Sequence, residues 1–312
     1  MHSDKDTQFF SPVAGWQHRY RPSACLRVSG EDALSFLQGQ FTQELRPASA
    51  PTVAYGLWLN QKGKVLADSF VLREEADLLW VISFSSSAAV IRERLESYII
   101  ADDVVIEDAT AAWQGLALGG EGAEAWLGEA AGAVPAAGEF TRAGGGWVFR
   151  GRRDGGTTFE WLRPAGDQAP ALGALADIGP GELERLRITA GIPRVPCDIG
   201  PGELPNEGGL DAVAVSYTKG CYLGQEVMAR LKAMGTVRRR LVRVRAGGRF
   251  VQVVPTALLQ GEKRVGELRS AVADGAGGFI GLALVNKLGL DPTLPLAPEP
   301  GGDGFIELID LP

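Results

Sequence analysis

The sequence predicts an α+β fold of two similar antiparallel-sheet parts, followed by a small all-β unit. Three observations carry this. Residues 53–99 read strand, strand, strand, helix, and residues 114–163 look like a second unit of the same kind. After Gly235 the chain turns to short apolar runs between glycine-rich turns, the spacing of a small barrel or sandwich. A chain of 312 residues is long for one core, so more than one unit is expected. Hydrophobic content of 45% and charged content of 22% are those of an ordinary globular protein. The net charge of −7 argues against a generic polyanion binder. No apolar run reaches membrane-spanning length, and the opening residues lack a secretory signal, so the expected place is the cytoplasm.

Taken in order, residues 24–39 read as a short strand and then a helix carrying Ala33, Leu34, Phe36 and Leu37. Ser29 and Asp32 have the spacing of a capping box ahead of it. A turn is expected near Arg46-Pro47. Val53–Leu59, Lys64–Arg73 and Leu78–Phe84 are strands, rich in Val, Leu, Phe and Trp. Asn60–Gly63 is a hairpin loop, with Gly63 supplying a positive φ. Ser85–Ser87 offer caps for a helix whose buried stripe is Ile91, Leu95, Tyr98 and Ile99.

In the second part, Gly115–Leu118 is a strand and Ala123–Ala130 a short helix. Trp147–Arg150 and Thr158–Leu162 are strands around the turn Asp154-Gly155-Gly156. Gly120–Gly122 lacks the glycine spacing of a dinucleotide loop. Pro180 starts a helix with Leu183, Leu186 and Ala190 on one side; Gly191 ends it, and Pro193 and Pro196 forbid continuation. Ile199–Asn206 is a loop. The closing strands are Leu241–Val244, Phe250–Val254, Leu258–Leu259, Arg264–Leu268 and Phe279–Leu284.

The chemistry concentrates in Ser216–Gly235, SYTKGCYLGQEVMARLKAMG. Val227, Met228, Leu231 and Met234 recur at helical spacing, Glu226 and Arg230 are four apart, and Gly235 stands where a left-handed cap belongs. Cys221 lies between Gly220 and Gly224, with Lys219 two residues ahead. A cysteine before a helix start and beside a lysine has two features that favour the reactive thiolate. The alternative is a small buried hydrophobe. The cysteines, Cys25, Cys197 and Cys221, are odd in number, widely spaced and without a C-x-x-C pair. That argues against a disulfide framework and a structural zinc site. It also excludes a four-cysteine cluster within one chain. His2 and His18, the only histidines, leave little for histidine-based catalysis or metal binding.

KGCYLGQE resembles the signature K-G-C-Y-x-G-Q-E of the YgfZ family, so Lys219, Gly220, Cys221, Tyr222, Gly224, Gln225 and Glu226 form the motif and Cys221 is a candidate functional thiol. These are folate-binding proteins related to the aminomethyltransferase, or T-protein, of the glycine cleavage system, implicated in assembly or repair of iron–sulfur clusters. The similarity runs on through EVMARLKAMGTVRRRL and back through LRITAGIPRVPCDIGPGELPNE, and in weaker form spans about Leu34 to Gly281. GELRSAVADGAGGFIGLALV resembles the superfamily's closing β-barrel. The resemblance implies a folate-binding body over residues 1–237, split near 111, and a C-terminal β-barrel over 238–312, around a cavity. It implies tetrahydrofolate or a derivative as ligand. Its implied partners are iron–sulfur client or assembly proteins, among them tRNA-modifying enzymes. A folate-dependent aminomethyltransferase or demethylase is the alternative.

A pterin presents two parallel donors, which a carboxylate accepts as a fork. Asp68, in LNQKGKVLADSF, falls on the second acidic position of the G-G-x-x-D-D segment that carries the T-protein's catalytic aspartate, while the first is Ala67; the resemblance makes Asp68 a candidate catalytic as well as folate-binding residue. Glu160, in GGTTFEWLRP, matches an acidic folate contact, and Arg187, in LRITAGIP, matches the L-R-x-x-A-G block. Arg187 is expected to contact the ligand or pair with a carboxylate. The bland reading of the two acids is solvent-facing strand carboxylates. Arg230, Lys232, Arg238, Arg239, Arg240, Arg243, Arg245 and Arg249 crowd one short stretch, which implies an anionic partner. Folate polyglutamate, a tRNA or an acidic protein fits; internal Asp/Glu pairing is the alternative. Aromatic residues do not interleave with these arginines, so stacking on single-stranded nucleic acid is unsupported.

Overall fold

The Asn60–Gly63 hairpin closes as its residues require. Asn60 Oδ1 accepts from the Lys62 and Lys64 amides at 2.9 and 3.0 Å, and Gly63 takes φ of +69°. This computed structural model describes residues 15–46, 52–167, 173, 175–247, 253–302 and 304–310. Arg249, the Met234 side chain and most of the strand expected over 250–254 lie outside them.

The first sheet has the order β3 (Thr52–Leu59), β4 (Val65–Arg73), β5 (Leu78–Ser83), β2 (Ala24–Ser29), β6 (Val105–Asp108), all antiparallel. Helices α1 (Ala33–Gln40) and α2 (Ala88–Glu96) cover one face, where Leu26, Val28, Leu37, Trp58, Val71, Ile91 and Leu95 form a core. Ser87 caps α2 by accepting from the Val90 amide. The capping box expected at Ser29 and Asp32 does not form. Asp32 Oδ2 accepts instead from the Asp103 amide at 2.9 Å, tying the helix start to the segment before β6.

The second sheet has the order β11 (Ala176–Asp177), β1 (Trp16–Tyr20), β7 (Trp113–Gly119), β10 (Thr158–Pro164), β9 (Gly146–Arg150), β8 (Phe140–Ala143). It is antiparallel except where β1 meets β11. The first strand of the chain therefore crosses the split expected near residue 111. Helix α3 (Ala123–Ala131) packs on Leu116, Leu118, Phe159 and Trp161. The other face meets the first sheet through Phe70, Leu72, Trp80, Ile82, Trp113, Trp147, Phe149 and Leu162. Period-2 alternation decides which side chains enter that layer: Asp68 shares a face with Phe70 and Leu72, and Glu160 shares one with Leu162.

Helix α4 (Pro180–Thr189) begins at Pro180, with Gly191 at φ +67° after its end. Two short turns of helix follow, over Pro205–Gly208 and in α5 (Asp211–Ala214), then α6 (Gln225–Met234) between Gly224 and Gly235, both left-handed. The chain closes with an antiparallel sheet that curls as a half-barrel. Its order is β13 (Thr256–Gln260), β14 (Lys263–Ala273), β15 (Phe279–Asn286), β12 (Arg239–Ala246), β16 (Glu307–Leu308). No helix among the described residues is long and apolar enough to cross a membrane.

Candidate functional site

A cavity of about 220 Å³ opens at one end of the layer between the two sheets. Tyr55 of β3 with Asp68 and Phe70 of β4 form one wall, Arg152 and Arg153 of the β9–β10 loop another, and α4 with residues 192–195 closes it. About half of its lining is aromatic or aliphatic, and the charged groups are Asp68, Glu184, Arg152, Arg153, Arg187 and Arg194.

Asp68 lines this cavity, but it is not an open fork. Oδ1 accepts from Ser86 Oγ at 2.8 Å and Ser83 Oγ at 3.2 Å, and Oδ2 accepts from Tyr55 Oη at 2.9 Å. A carboxylate has about four lone-pair positions, so one remains for a ligand. Burial raises the Asp68 pKa above the ordinary range; the Ser86, Tyr55 and Ser83 hydroxyls and the Arg152 charge oppose that rise. Burial also raises the Tyr55 pKa, and the Asp68 charge adds to it.

Glu160 is placed differently from the expectation. It is fully buried, does not line the cavity, and is neither a solvent-facing carboxylate nor a free fork. Arg153 Nε and Nη2 donate to its two oxygens, and Tyr20 Oη donates to Oε2 at 2.6 Å. Arg153 in turn lies 3.7 Å from the Phe84 ring centroid and 4.5 Å from that of Tyr20. Glu160 thus sets Arg153 in the wall. Arg187 also lines the cavity, yet each of its five N–H groups has an acceptor. Nε and Nη2 donate to Glu184, Nη1 to Asp198 Oδ2 at 2.8 Å and to the Ile192 carbonyl, and Nη2 to Ser270 Oγ at 3.0 Å. It pairs with carboxylates, the second of the two roles expected for it, and ties α4 to β14.

Arg152 is one of the cavity residues that sequence reasoning missed, with Tyr55, Arg153 and Arg194. Its guanidinium lies 4.4 Å from the Tyr55 centroid, and among the described residues it has no ion pair. The run GRRDGG reads as a turn, and nothing in it reveals that both arginines line a cavity.

No described residue of 216–235 lines the cavity, although Tyr222 packs in one cluster with its lining residue Val195. Cys221 is exposed and Tyr222 buried against Leu57, Leu59, Val195 and Met228. Lys219 turns its ammonium inward. It is buried, and its Nζ donates to the carbonyls of Gln38, Phe41 and Gln43 at 2.8, 2.6 and 2.9 Å. Burial lowers its pKa to about 8, with Glu44 raising and Arg46 lowering it. Helix α6 begins at Gln225, four residues after Cys221. Gln225 is half-buried, and Glu226 is exposed without an ion pair to Arg230 among the described residues. Cys197 is exposed and Cys25 buried, where burial, then the Asp108 charge, pushes its thiol pKa up.

The arginine-rich stretch is partly neutralised. Arg239 pairs with Glu203 and Glu207, Arg243 with Asp310 and Arg245 with Glu307. Strand alternation turns Arg238 and Arg240 the other way, and both are exposed, as is Arg230. No ion pair is found for these three among the described residues. Among those residues, no group of three or more His, Cys, Asp or Glu side chains is arranged to hold a metal ion.

The model of the GCVT N-terminal domain matches residues 23–142. Over 288 residues the chain is 32% identical to the iron–sulfur cluster assembly factor IBA57, mitochondrial, of Homo sapiens, covering 83% of this chain and 74% of that protein. The chain belongs to the IBA57 and YgfZ family. A second member, the tRNA-modifying protein YgfZ of Edwardsiella ictaluri, is 28% identical over 261 residues, 78% of this chain and 73% of that one. In fold, this family member resembles the glycine cleavage system aminomethyltransferase T from Bartonella henselae. The TM-score is 0.77 over 96% of this chain and 87% of that one, at 18% identity.

Proposed function

We propose that the protein binds tetrahydrofolate or a derivative and supports assembly or repair of iron–sulfur clusters in client enzymes, including tRNA-modifying ones. The observation that carries this reading is the KGCYLGQE loop, which holds Cys221 exposed and outside the cavity lining. A thiol placed there is available to another protein rather than to a small ligand in the cavity. The relatives named as an iron–sulfur cluster assembly factor and a tRNA-modifying protein support the same reading.

The cavity fits a folate head group better than a whole folate. About 220 Å³ lies below the roughly 300–1,000 Å³ of pockets that enclose drug-sized ligands. It has aromatic walls in Tyr55, Phe70 and Phe84, the Arg152 cation and one open acceptor position on Asp68. Bound folate would supply one-carbon chemistry. The residues here would orient its ring and exclude water. An aminomethyltransferase or demethylase is less well supported, because Ala67 stands where the T-protein segment has its first acid and Asp68 is tied to three hydroxyls. We keep the cytoplasm as the proposed compartment; the human relative is named as mitochondrial, and cell fractionation decides.

The test has two arms. Calorimetric titration of tetrahydrofolate should show binding that Arg152→Met weakens; absence of binding to the wild type removes the folate half of the reading. In cells lacking the protein, wild type should restore iron–sulfur enzyme activity and Cys221→Ser should not. Full restoration by Cys221→Ser removes the thiol.

A further inference from the structure

The last turn of any α-helix leaves carbonyls without intrahelical partners. In α1 two of those carbonyls are taken by the motif loop. Lys219 Nζ donates to the Gln38 carbonyl, and the Leu223 amide donates to the Gly39 carbonyl at 3.1 Å. Lys219 reaches two more carbonyls just past the helix, Phe41 and Gln43. The Ser216 amide donates to the Thr42 carbonyl at 2.9 Å, and Thr42 Oγ1 donates to the Ala214 carbonyl at 2.6 Å. Residues 38–43 and 214–223 are therefore zipped together through polar contacts that are mostly shielded from water.

The anchors flank the thiol. Lys219 lies two residues before Cys221 and Leu223 two after, and between them Tyr222 is buried while Cys221 is exposed. An ammonium has three N–H donors and no acceptor, and here it meets three carbonyls. A guanidinium offers its donors in a flat fork and does not match three converging oxygens. A methionine fills the same volume with no donor and leaves three buried carbonyls without a partner.

We propose that Lys219 is a positioning residue for Cys221: its ammonium docks the motif loop onto the end of α1 and so holds the thiol outward at the apex. Lys219 acts through the backbone and does not touch the sulfur. The proposal rests on the reading of Cys221 as the working thiol. The negative end of the α1 dipole favours a cation at this place.

The three cysteines make the experiment self-calibrating. Cys197 is an exposed reference thiol, and Cys25, buried, reports whether the fold is intact. Brief alkylation with iodoacetamide and peptide mapping give the ratio of Cys221 to Cys197 labelling. Lys219→Met and Lys219→Arg should each change that ratio at least about fivefold with Cys25 still protected. A ratio within about twofold of wild type in Lys219→Met, or restoration of the wild-type ratio by Lys219→Arg, overturns the proposal. If Cys25 becomes labelled in the variants, hydrogen exchange on the wild-type protein decides. The Leu223 and Ser216 amides should then be protected and open together; a freely exchanging Leu223 amide overturns it. The function reading fails separately, through restored enzyme activity in Cys221→Ser, whatever the labelling ratio shows.

Discussion

Arg153 grips Glu160 with two hydrogen bonds, Nε to Oε1 at 2.7 Å and Nη2 to Oε2 at 3.2 Å, just behind the cavity wall. The acid is wholly buried and the guanidinium nearly so. The pair fixes the β9–β10 loop on its own strand, and Tyr20 adds a third bond from β1. The acid resembling a folate contact is thus engaged by an arginine and a tyrosine of the protein itself.

Removing one partner of such a pair leaves an uncompensated buried charge, which is costlier than removing both. Glu160→Gln should therefore lose about 3–5 kcal/mol in urea unfolding. The double variant Glu160→Leu with Arg153→Met should lose less than Glu160→Gln alone. If Glu160→Gln unfolds at the wild-type midpoint but binds tetrahydrofolate more weakly, Glu160 touches the ligand after all.

Asp68 makes a prediction in pH. Its folded pKa is raised, first by burial, so the folded state holds its proton to higher pH than the unfolded chain. The stability tied to that proton is fully present below the unfolded value, about pH 4, and is lost as pH rises through the raised folded value. Asp68→Asn removes this term. The variant should gain stability relative to wild type between pH 4 and pH 7, read from urea midpoints at the two pH values. A difference independent of pH would show that Asp68 is not held above its usual range.

The arginine stretch should split into two behaviours. Arg239 is the counter-ion of Glu203 and Glu207, which are 5% and 4% exposed. Arg239→Ala leaves those acceptors short of donors and should cost about 1–3 kcal/mol. Arg238→Ala and Arg240→Ala, exposed and without ion pairs, should stay within about 0.5 kcal/mol. Any salt-sensitive binding of an anionic partner should follow Arg230, Arg238 and Arg240, not Arg239. Replacing all three neighbouring arginines at once would mix the two effects. Single variants in parallel melting and salt-titration series separate them.

Strands β3 and β4, and β9 and β10, were legible because turn chemistry marks them: Asn60 to Gly63 in the first pair and Asp154 to Gly156 in the second; β8, which also pairs with its sequence neighbour β9, was not. Helices were legible at their ends, as with Ser87, Pro180 and Gly235. Strands β1 and β6 were not. Trp16–Tyr20 pairs with a strand about a hundred residues on, and Val105–Asp108 is a short edge strand with charged residues, so neither carries a local signal. The same physics limits the site. Period-2 alternation puts Asp68 with Phe70 and Glu160 with Leu162, but when both faces of a sheet are covered it does not say which face holds the cavity. Lys219 misled for a related reason: two residues from a cysteine in sequence, its side chain turns inward to α1.

The two glycines around Cys221 should answer very differently to alanine. Gly224 has φ +85°, where an L side chain costs about 1–2 kcal/mol. A Cβ there would also stand 2.9 Å from the Asn60 carbonyl oxygen and 3.3 Å from the Gly63 Cα, backbone atoms of the hairpin that cannot swing aside. Gly220 is not in the left-handed region, and its added Cβ would meet only Arg46 Nη2 at 3.1 Å, the tip of an exposed side chain. Gly224→Ala should therefore lose about 2 kcal/mol or more, while Gly220→Ala stays within about 0.5 kcal/mol. The contrast matters for function, because both residues border the thiol. Lost enzyme support in Gly224→Ala would follow its stability, whereas lost support in Gly220→Ala at an unchanged melting temperature would mark the open surface beside Cys221 as a place where another molecule sits. Melting curves of the two variants, run beside the cellular assay, test both halves. Equal destabilisation by the two alanines would mean that the loop does not hold the backbone geometry that separates them.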